Sequence, residues 1–498
     1  MHPDREFGPP AGEPTCSQAL IADLELDTLL GAMAAGDEFL LAVARAALLA
    51  GLRDPAAIRY RQQVLADCLR EAPVVRRLYE IAAAAIAGER RAYGGWFLPK
   101  APDALLRRSV EVLQMFTGHL RQLREIAARD GPRLSSAGFT RLFAMLLGEL
   151  TDEYFAEIAG HLRRLRFRDG VLISARLGAG NRGTGYTLRR AREPRRRLAL
   201  PPARGRALTL TIADRDEAGA RALAELERRG INLVADALAR STDHILAFFT
   251  ALRTELAFYV GALNLHEALT ARGVPLCFPE PAGLAGPGPL FTARDLREPC
   301  LALTAPEPVA GNDVDADGRP LIVITGANQG GKSTFLRSVG VAHLMMEAGL
   351  YVPARALRAT VSRGVFTHFR REEDATMTSG KLDEELRRMS QVTARIAPGA
   401  LLLCNESFAA TNEREGSQIA REVFTALLDC GVRLCAVTHL FDLAHGLHAE
   451  RGAGALFLRA ERGADGRRTF RLVPAEPLPT SFGEDIYRRM FGERAAAG

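Results

Sequence analysis

The stretch from Leu321 to Met346, LIVITGANQGGKSTFLRSVGVAHLMM, sets a β-forming run, a glycine-rich turn and an apolar helix in immediate succession. Within it, Gly326 and Gly331-Lys332-Ser333 fit the spacing G-x-x-x-x-G-K-[ST] between strand and helix. No other feature constrains the fold as much, because a strand ending in a phosphate loop belongs inside a parallel sheet covered by helices. Glycines let backbone N–H groups curl around phosphate oxygens, and the helix N-terminus adds partial positive charge. The nucleotide-binding candidates are Gly326, Ala327, Asn328, Gln329, Gly330, Gly331, Lys332, Ser333 and Thr334. Lys332 is expected to reach the β- and γ-phosphates of ATP, and the Ser333 hydroxyl to sit on Mg²⁺. The chain has only three lysines, Lys100, Lys332 and Lys381, among 65 basic residues, so a chance lysine at this spacing is rare.

Further strands are expected at ALLLCN (400–405), VRLCAVT (432–438), ALFLRA (455–460) and RTFRLV (468–473), the last two as a hairpin around GADG. Helical stretches separate the strands at 321–325, 400–405 and 432–438, which implies parallel pairing. The 400–405 strand delivers Asn405 and Glu406. In phosphate-loop enzymes the first of these places usually holds an aspartate that supports Mg²⁺, and an acid beside it can polarise the attacking water. Asn405 keeps an oxygen that can accept from a Mg²⁺-bound water but lacks the charge. Glu406 is the candidate general base. Two readings stay open: a working hydrolase with one unusual part, and a nucleotide sensor that binds and barely hydrolyses. His439, just past the next strand in VTHLFDLAH, is placed to sense the γ-phosphate, since ligands gather at strand C-termini in parallel sheets. Between these motifs, Ser379-Gly380-Lys381 precedes a charged helix and forms a candidate contact with a partner subunit's γ-phosphate. The alternative is a solvated surface helix.

Upstream, residues 18 to about 160 read as helical. Asp54 caps and Pro55 opens a helix that sets Ile58, Leu65, Cys68 and Leu69 on one face. From Ile231 to about Thr270, Ile231, Leu238, Ile245, Leu252 and Tyr259 recur every seven residues, with Val234 and Phe248 at the companion position. Such a helix would be about 60 Å long, a lever or a long core helix. Between the helical parts, GVLISARLGAGNRGTGYTLRR and RALTLTIADRD alternate and carry glycine turns, the mark of a small β-rich insertion.

Charge is concentrated in this insertion. Residues 163–206 hold 14 arginines against Asp169 and Glu193, a net of +12, while the whole chain is only +6. Local positive charge is what a polyanion would feel. The seven cysteines form no C-x-x-C pair, which argues against a disulfide framework or zinc site and fits a reducing cytoplasm. No uninterrupted apolar run reaches the roughly 20 residues of a membrane span, and the opening MHPDREFGPPAGEPT lacks a signal peptide's apolar region. No Asn-Lys-x-Asp guanine signature occurs.

The run ITGANQGGKSTFLRSVGVAHLMMEAGLYVPA, followed by the acid-bearing strand and VTHL, resembles the ATPase domain of MutS-family proteins, relatives of the ABC ATPases. DPAAIRYRQQVL and the long helix are similar to the MutS core and lever, so the resemblance covers about 50 to 495. It implies a multidomain α plus α/β chain. Residues 1–17 would be a tail, 18–162 a helical core domain, 163–214 the basic β-rich insertion, and 215–277 long lever helices. Residues 278–300 would link these to a P-loop, ABC-like ATPase domain at 301–498. The insertion sits where MutS carries its DNA clamp, which makes Arg189, Arg190, Arg195, Arg196 and Arg197 candidate DNA contacts; a solvated insertion is the alternative. In the family two ATPase domains pair and complete each other's nucleotide. Ser379, Lys381, Thr411 and Asn412 are the candidates for such contacts in a homodimer.

The sequence also departs from the family. The stretch before residue 50 is too short for mismatch-reading and connector domains and has no Phe-x-Glu motif, and no nuclease-like domain is expected at the C-terminus. Asn405 stands where MutS has aspartate, and SGKLDEELRRM differs from the family's Ser-Thr-Phe loop. The resemblance implies a Mg²⁺-dependent ATPase: a dimeric, nucleotide-gated clamp acting on DNA structure in repair or recombination, without direct mismatch reading. Its partners would be DNA and repair proteins, with no membrane, in the cytoplasm or at the nucleoid. The alternative is a nucleotide-gated protein-interaction module that hydrolyses ATP slowly and does not act on DNA.

Overall fold

The structure is a computed structural model that describes residues 2, 7, 17–93, 102–167, 170–189, 209–286, 288–371, 380–462 and 468–478. Helices come first: α1 (Ser17–Asp23), α2 (Leu26–Ala34), α3 (Glu38–Ala50), α4 (Pro55–Arg70), α5 (Ala72–Tyr93), α6 (Pro102–Asp130), α7 (Ala137–Glu149) and α8 (Asp152–Arg164). A hairpin, β1 (Ile173–Leu177) and β2 (Gly183–Leu188), precedes the 55-residue helix α9 (Glu217–Ala271). Then follow β3 (Glu280–Ala282), β4 (Phe291–Leu296), α10 (Pro299–Thr304), β5 (Asn312–Asp315), β6 (Leu321–Thr325), α11 (Lys332–Glu347), β7 (Ala356–Thr360) and β8 (Val365–Phe369). The chain continues through α12 (Lys381–Thr393), β9 (Leu401–Asn405), α13 (Glu413–Asp429), β10 (Arg433–Val437), α14 (Phe441–Arg451), β11 (Ala455–Arg462) and β12 (Arg468–Pro474).

These elements form two compact units that cut across the expected sequential segments. One comprises Met1–Val75, Ser135–Gly138 and Thr254–Gly498; the other comprises Arg76–Leu134 and Phe139–Arg253. The first unit is built on a six-stranded sheet in the order β12-β11-β6-β10-β9-β8, parallel except for β12. Leu321, Val323, Leu402, Cys404, Leu434 and Ala436 face one side, where Phe424 of α13 and Leu443 and Leu447 of α14 cover them. On the other side α11 packs on β8, β9 and β10, with α3 and α10 outside it. That packing is why the first helices belong with the sheet: at Gly340 of α11, a Cβ would lie 2.5 Å from Leu403 Cδ1 and 3.1 Å from Leu24 Cδ1. Only glycine lets the helix sit so close to both layers. A second sheet, β3-β7-β4-β5, joins the same unit. Its strands are short and rich in Asp, Arg and Pro, so periodicity gave no sign of them. Asp54 accepts from the Ala56 N–H with Pro55 opening α4, the expected cap.

In the other unit, Phe116 of α6 and Phe249 of α9 stack with ring centroids 5.3 Å apart. Leu106 packs with Ile231 and Ala235 of α9. The hairpin lies on α9 at Gly230, where a Cβ would come within 2.5 Å of Ile173 Cδ1. Three sequence expectations need correction. The heptad pattern marks the long helix only from Ile231, whereas the helix starts at Glu217, near the start of the expected lever segment. Its first turns carry no buried stripe: Leu223 and Leu226 are exposed. They stand on helix propensity, the Asp216 cap to Gly219 N–H at 2.8 Å, and ion pairs Glu217–Arg221 and Glu225–Arg229. Residues 209–216 of RALTLTIADRD form no strand, and Leu210 is exposed; among the described residues their alternation finds no partner strand. Finally, α9 is long and apolar enough by composition to cross a bilayer, although charged residues interrupt its apolar stretches; half of its most apolar window is buried inside the protein.

Candidate active site

The parallel strands end on one edge, and the expected residues gather there. β6 and β9 flank β10, so the loops after these three strands are neighbours. After β6 the chain bends through Gly326 at φ 110°, Gln329 at φ 59° and Gly331 at φ 87° before entering α11. At Gly331 the left-handed backbone and the Phe470 carbonyl, 3.2 Å from where a Cβ would sit, both demand glycine. Lys332, nearly buried at 4% exposure, folds back so that Nζ donates to the Gly326 and Ala327 carbonyls at 2.7 and 2.9 Å. Burial pushes its ammonium down to about 8, opposed by the negative charge of Glu406.

The neighbouring Ser333 hydroxyl donates to Asn405 Oδ1 at 3.0 Å, joining the start of α11 to the end of β9. Glu406 follows in the left-handed region at φ 55°, its N–H held by the Val437 carbonyl at 2.9 Å. Such backbone is strained for a non-glycine residue and needs surrounding bonds to persist. His439 Nε2 lies 2.7 Å from Glu406 Oε1, and the Arg370 guanidinium lies 3.6 Å from Oε2. The His439 hydrogen bond holds the Glu406 carboxyl below the ordinary glutamate range, with Lys332 and Arg370 adding to that effect against burial. A cavity of about 250 Å³ opens beside these groups, lined by Gly326, Asn328, Glu413, His439 and Phe441.

Other expected residues take different places. Gln329 receives a hydrogen bond from Arg468 of β12. Asn412 caps α13, accepting from the Glu415 N–H at 3.0 Å, and Thr411 donates to the Glu415 carboxylate. Both are thus engaged within their own chain. Asn412→Ala is expected to destabilise the first unit by about 1 kcal/mol, the usual worth of such a cap, read as a lowered melting temperature. Lys381 is the first residue of α12, whereas Ser379 lies outside the described residues. Arg189 donates from Nε to Ser174 Oγ at 2.8 Å across the hairpin. Arg190, Arg195, Arg196 and Arg197 lie outside the described residues.

Sequence reasoning missed Arg370 and Arg468. The former follows β8 and donates its backbone N–H to the Asn405 carbonyl at 2.9 Å. Recognising VFTHF as a strand beside β9 would have placed Arg370 next to the acidic end.

Residues 53–272 match the family model of the MutS2 N-terminal domain, and residues 322–487 match MutS domain V. The DNA mismatch repair protein MutS of Chloroflexus aurantiacus is 27% identical over 276 residues, covering 51% of this chain and 28% of that protein. Endonuclease MutS2 of Solidesulfovibrio magneticus is 32% identical over 166 residues, 32% of this chain and 22% of the relative. MutS protein homolog 4 of Mus musculus is 29% identical over 143 residues, 29% and 15% of the two chains. In each case the match spans less than a third of the relative's own length. With one model over the helical segments and the other over the sheet that carries Lys332, Glu406 and His439, the chain belongs to the MutS family.

Proposed function

We propose that this protein binds and hydrolyses ATP and acts on DNA, in repair or recombination, as a nucleotide-gated dimer. The observation that carries the reading is the meeting of Ser333 and Asn405 at 3.0 Å beside Lys332, with Glu406 and His439 at the adjoining strand ends. The residues fit a nucleotide with Mg²⁺. The Lys332 ammonium is bonded to neutral carbonyls of its own loop, and phosphate oxygens are stronger acceptors that can take those hydrogens. Ser333 Oγ would hold the metal directly and Asn405 Oδ1 through a water. Among the described residues no group of three His, Cys, Asp or Glu could bind a metal alone, so phosphates and water must complete the shell. Mg²⁺ would supply charge neutralisation on the phosphates. Glu406 then accepts the proton of the attacking water while His439 fixes its carboxylate.

In the dimer, the segment around Ser379 and Lys381 meets the partner's nucleotide, ATP closes the pair and hydrolysis reopens it. The hairpin exposes Arg176 and Arg182 within the basic segment, which supports contact with phosphate backbones rather than with particular bases. Mismatch reading is not part of this proposal, and the proposed place of action is the cytoplasm, at the nucleoid when DNA is bound.

A second reading rests on Asn405: a neutral oxygen at the metal-linked position favours a switch that binds ATP, turns over slowly and gates protein partners. Steady-state hydrolysis with Mg²⁺, with and without duplex or branched DNA, separates the two. Wild type is expected to turn over and to respond to DNA with a steep salt dependence. Asn405→Asp is expected to speed turnover about tenfold, the difference between a neutral and a charged hydrogen-bond acceptor. A wild type that binds ATP without turnover until Asn405→Asp restores it would establish the switch. DNA without effect, together with a protein captured only in the ATP state, would establish the interaction module.

A further inference from the structure

Arg370 is paired with one carboxylate, and its charge acts on a second. Its guanidinium is 3.6 Å from Glu406 Oε2, the oxygen that His439 leaves open. The second is Glu385 of α12, whose backbone carbonyl lies 3.0 Å from Nε2 of His368, two residues before Arg370, and whose carboxyl feels the Arg370 charge. Glu385 is 5% exposed, and neither carboxylate oxygen makes a hydrogen bond of normal geometry. Burial raises its pKa, and the charge of Arg370 is the largest influence opposing that rise, ahead of the Ala410 and Phe408 backbone N–H groups and Arg388. A buried carboxylate so poorly partnered is expensive to keep, and a place where one persists needs a reason.

The surroundings tie Glu385 to the catalytic edge. Arg388 Nη1 donates to the Phe369 carbonyl at 2.8 Å, fastening α12 to the end of β8. His368 Nε2 lies 3.0 Å from the carbonyl of Glu385 itself, and Nδ1 lies 2.7 Å from the Ser407 hydroxyl, one residue beyond Glu406. Burial pushes His368 down to about 4, so its ring is neutral. One tautomer satisfies both neighbours: Nε2–H donates to the Glu385 carbonyl, and the Ser407 hydroxyl donates to Nδ1. A rigid polar link thus runs from α12 to the residue after Glu406, while Arg370 bridges the same two segments by charge.

We propose that Arg370 is a positioning residue that exchanges between two carboxylates, paired with Glu406 in this structure and with Glu385 when Glu406 takes up the attacking water. Glu385 is the acceptor that lets Arg370 leave. Without it, Oε2 of Glu406 stays engaged. This exchange rests on the ATP-hydrolysis reading above, and its test is chosen to separate the two.

Four full-length proteins decide it: wild type, Glu385→Gln, Arg370→Ala and the double variant. Each is measured for ATP turnover, ATP affinity, and thermal melting with and without Mg-ATP. Glu385→Gln is expected to lower kcat about tenfold with the Kd for ATP unchanged, and to have no further effect once Arg370 is alanine. In melting, the coupling between the two positions is expected to grow when nucleotide is added. Independent losses of kcat overturn the exchange, as does a coupling of the same size with and without Mg-ATP. A wild type that melts higher with Mg-ATP yet never turns over rejects the hydrolysis reading, and the melting cycle then decides the exchange by itself.

Discussion

Glu406→Gln is expected to lower steady-state ATP turnover by about 10²- to 10⁴-fold, the range for loss of a general base, while ATP binding survives. The substitution keeps the shape of the side chain and an oxygen that can face His439, but an amide cannot take a proton from water. The hydrogen bond from His439 and the nearby cations keep the wild-type carboxylate ionised at neutral pH. The backbone at φ 55° is held by the Val437 carbonyl, so the exchange should leave the loop in place. Turnover measured beside equilibrium binding of ATP makes the comparison. If the variant hydrolyses ATP within a fewfold of wild type, Glu406 is not the base. If it loses binding as well, the carboxylate is a structural strut.

The edge that carries these residues was legible because each strand is an apolar run with Asn405, Glu406 or His439 within two positions of its end, while the phosphate-loop spacing sets Lys332 at the start of α11. Lys332, Asn405, Glu406 and His439 could therefore be placed without knowing the sheet order. What could not be read was sideways. Arg370 reaches Glu406 only because β8 lies beside β9, and strand order is not encoded in the spacing of either strand. Asn412 and Thr411 show the opposite error of emphasis: residues singled out for contacts with another chain also serve a helix cap, which the Asn-x-x-Glu spacing of Asn412 and Glu415 announces. The first turns of α9 fall inside the expected lever segment 215–277 but outside the heptad pattern, because ion pairs and propensity hold them and hydrophobic periodicity detects neither. Helices α1 to α3 look like part of a helical domain in sequence, yet Leu24 against Gly340 places them on the sheet.

Lys332→Met is expected to act in opposite directions on binding and on stability. The side chain is nearly buried, and its ammonium, ordinarily near 10.5, is pushed down to about 8. Holding the charged form there at neutral pH costs about 3 kcal/mol. Against this, the ammonium gives hydrogen bonds to the Gly326 and Ala327 carbonyls, together worth about 2 kcal/mol. The nucleotide-free variant should therefore melt at the wild-type temperature or about 1–3 °C above it. The pH dependence has a definite sign. Between about 8 and 10.5 the unfolded lysine binds a proton that the folded one has released, so wild-type stability gains from this residue as pH rises through that window. The methionine variant lacks that gain. Nucleotide binding moves the other way: two charge-assisted contacts with phosphate are lost, and the Kd for ATP should rise about 100-fold or more. Melting curves with and without Mg-ATP read both effects, because the nucleotide-dependent rise should vanish while the nucleotide-free midpoint holds. A variant that keeps its ATP-dependent rise would remove Lys332 from the phosphate site, and one that melts far below wild type would make the lysine a structural part of the loop.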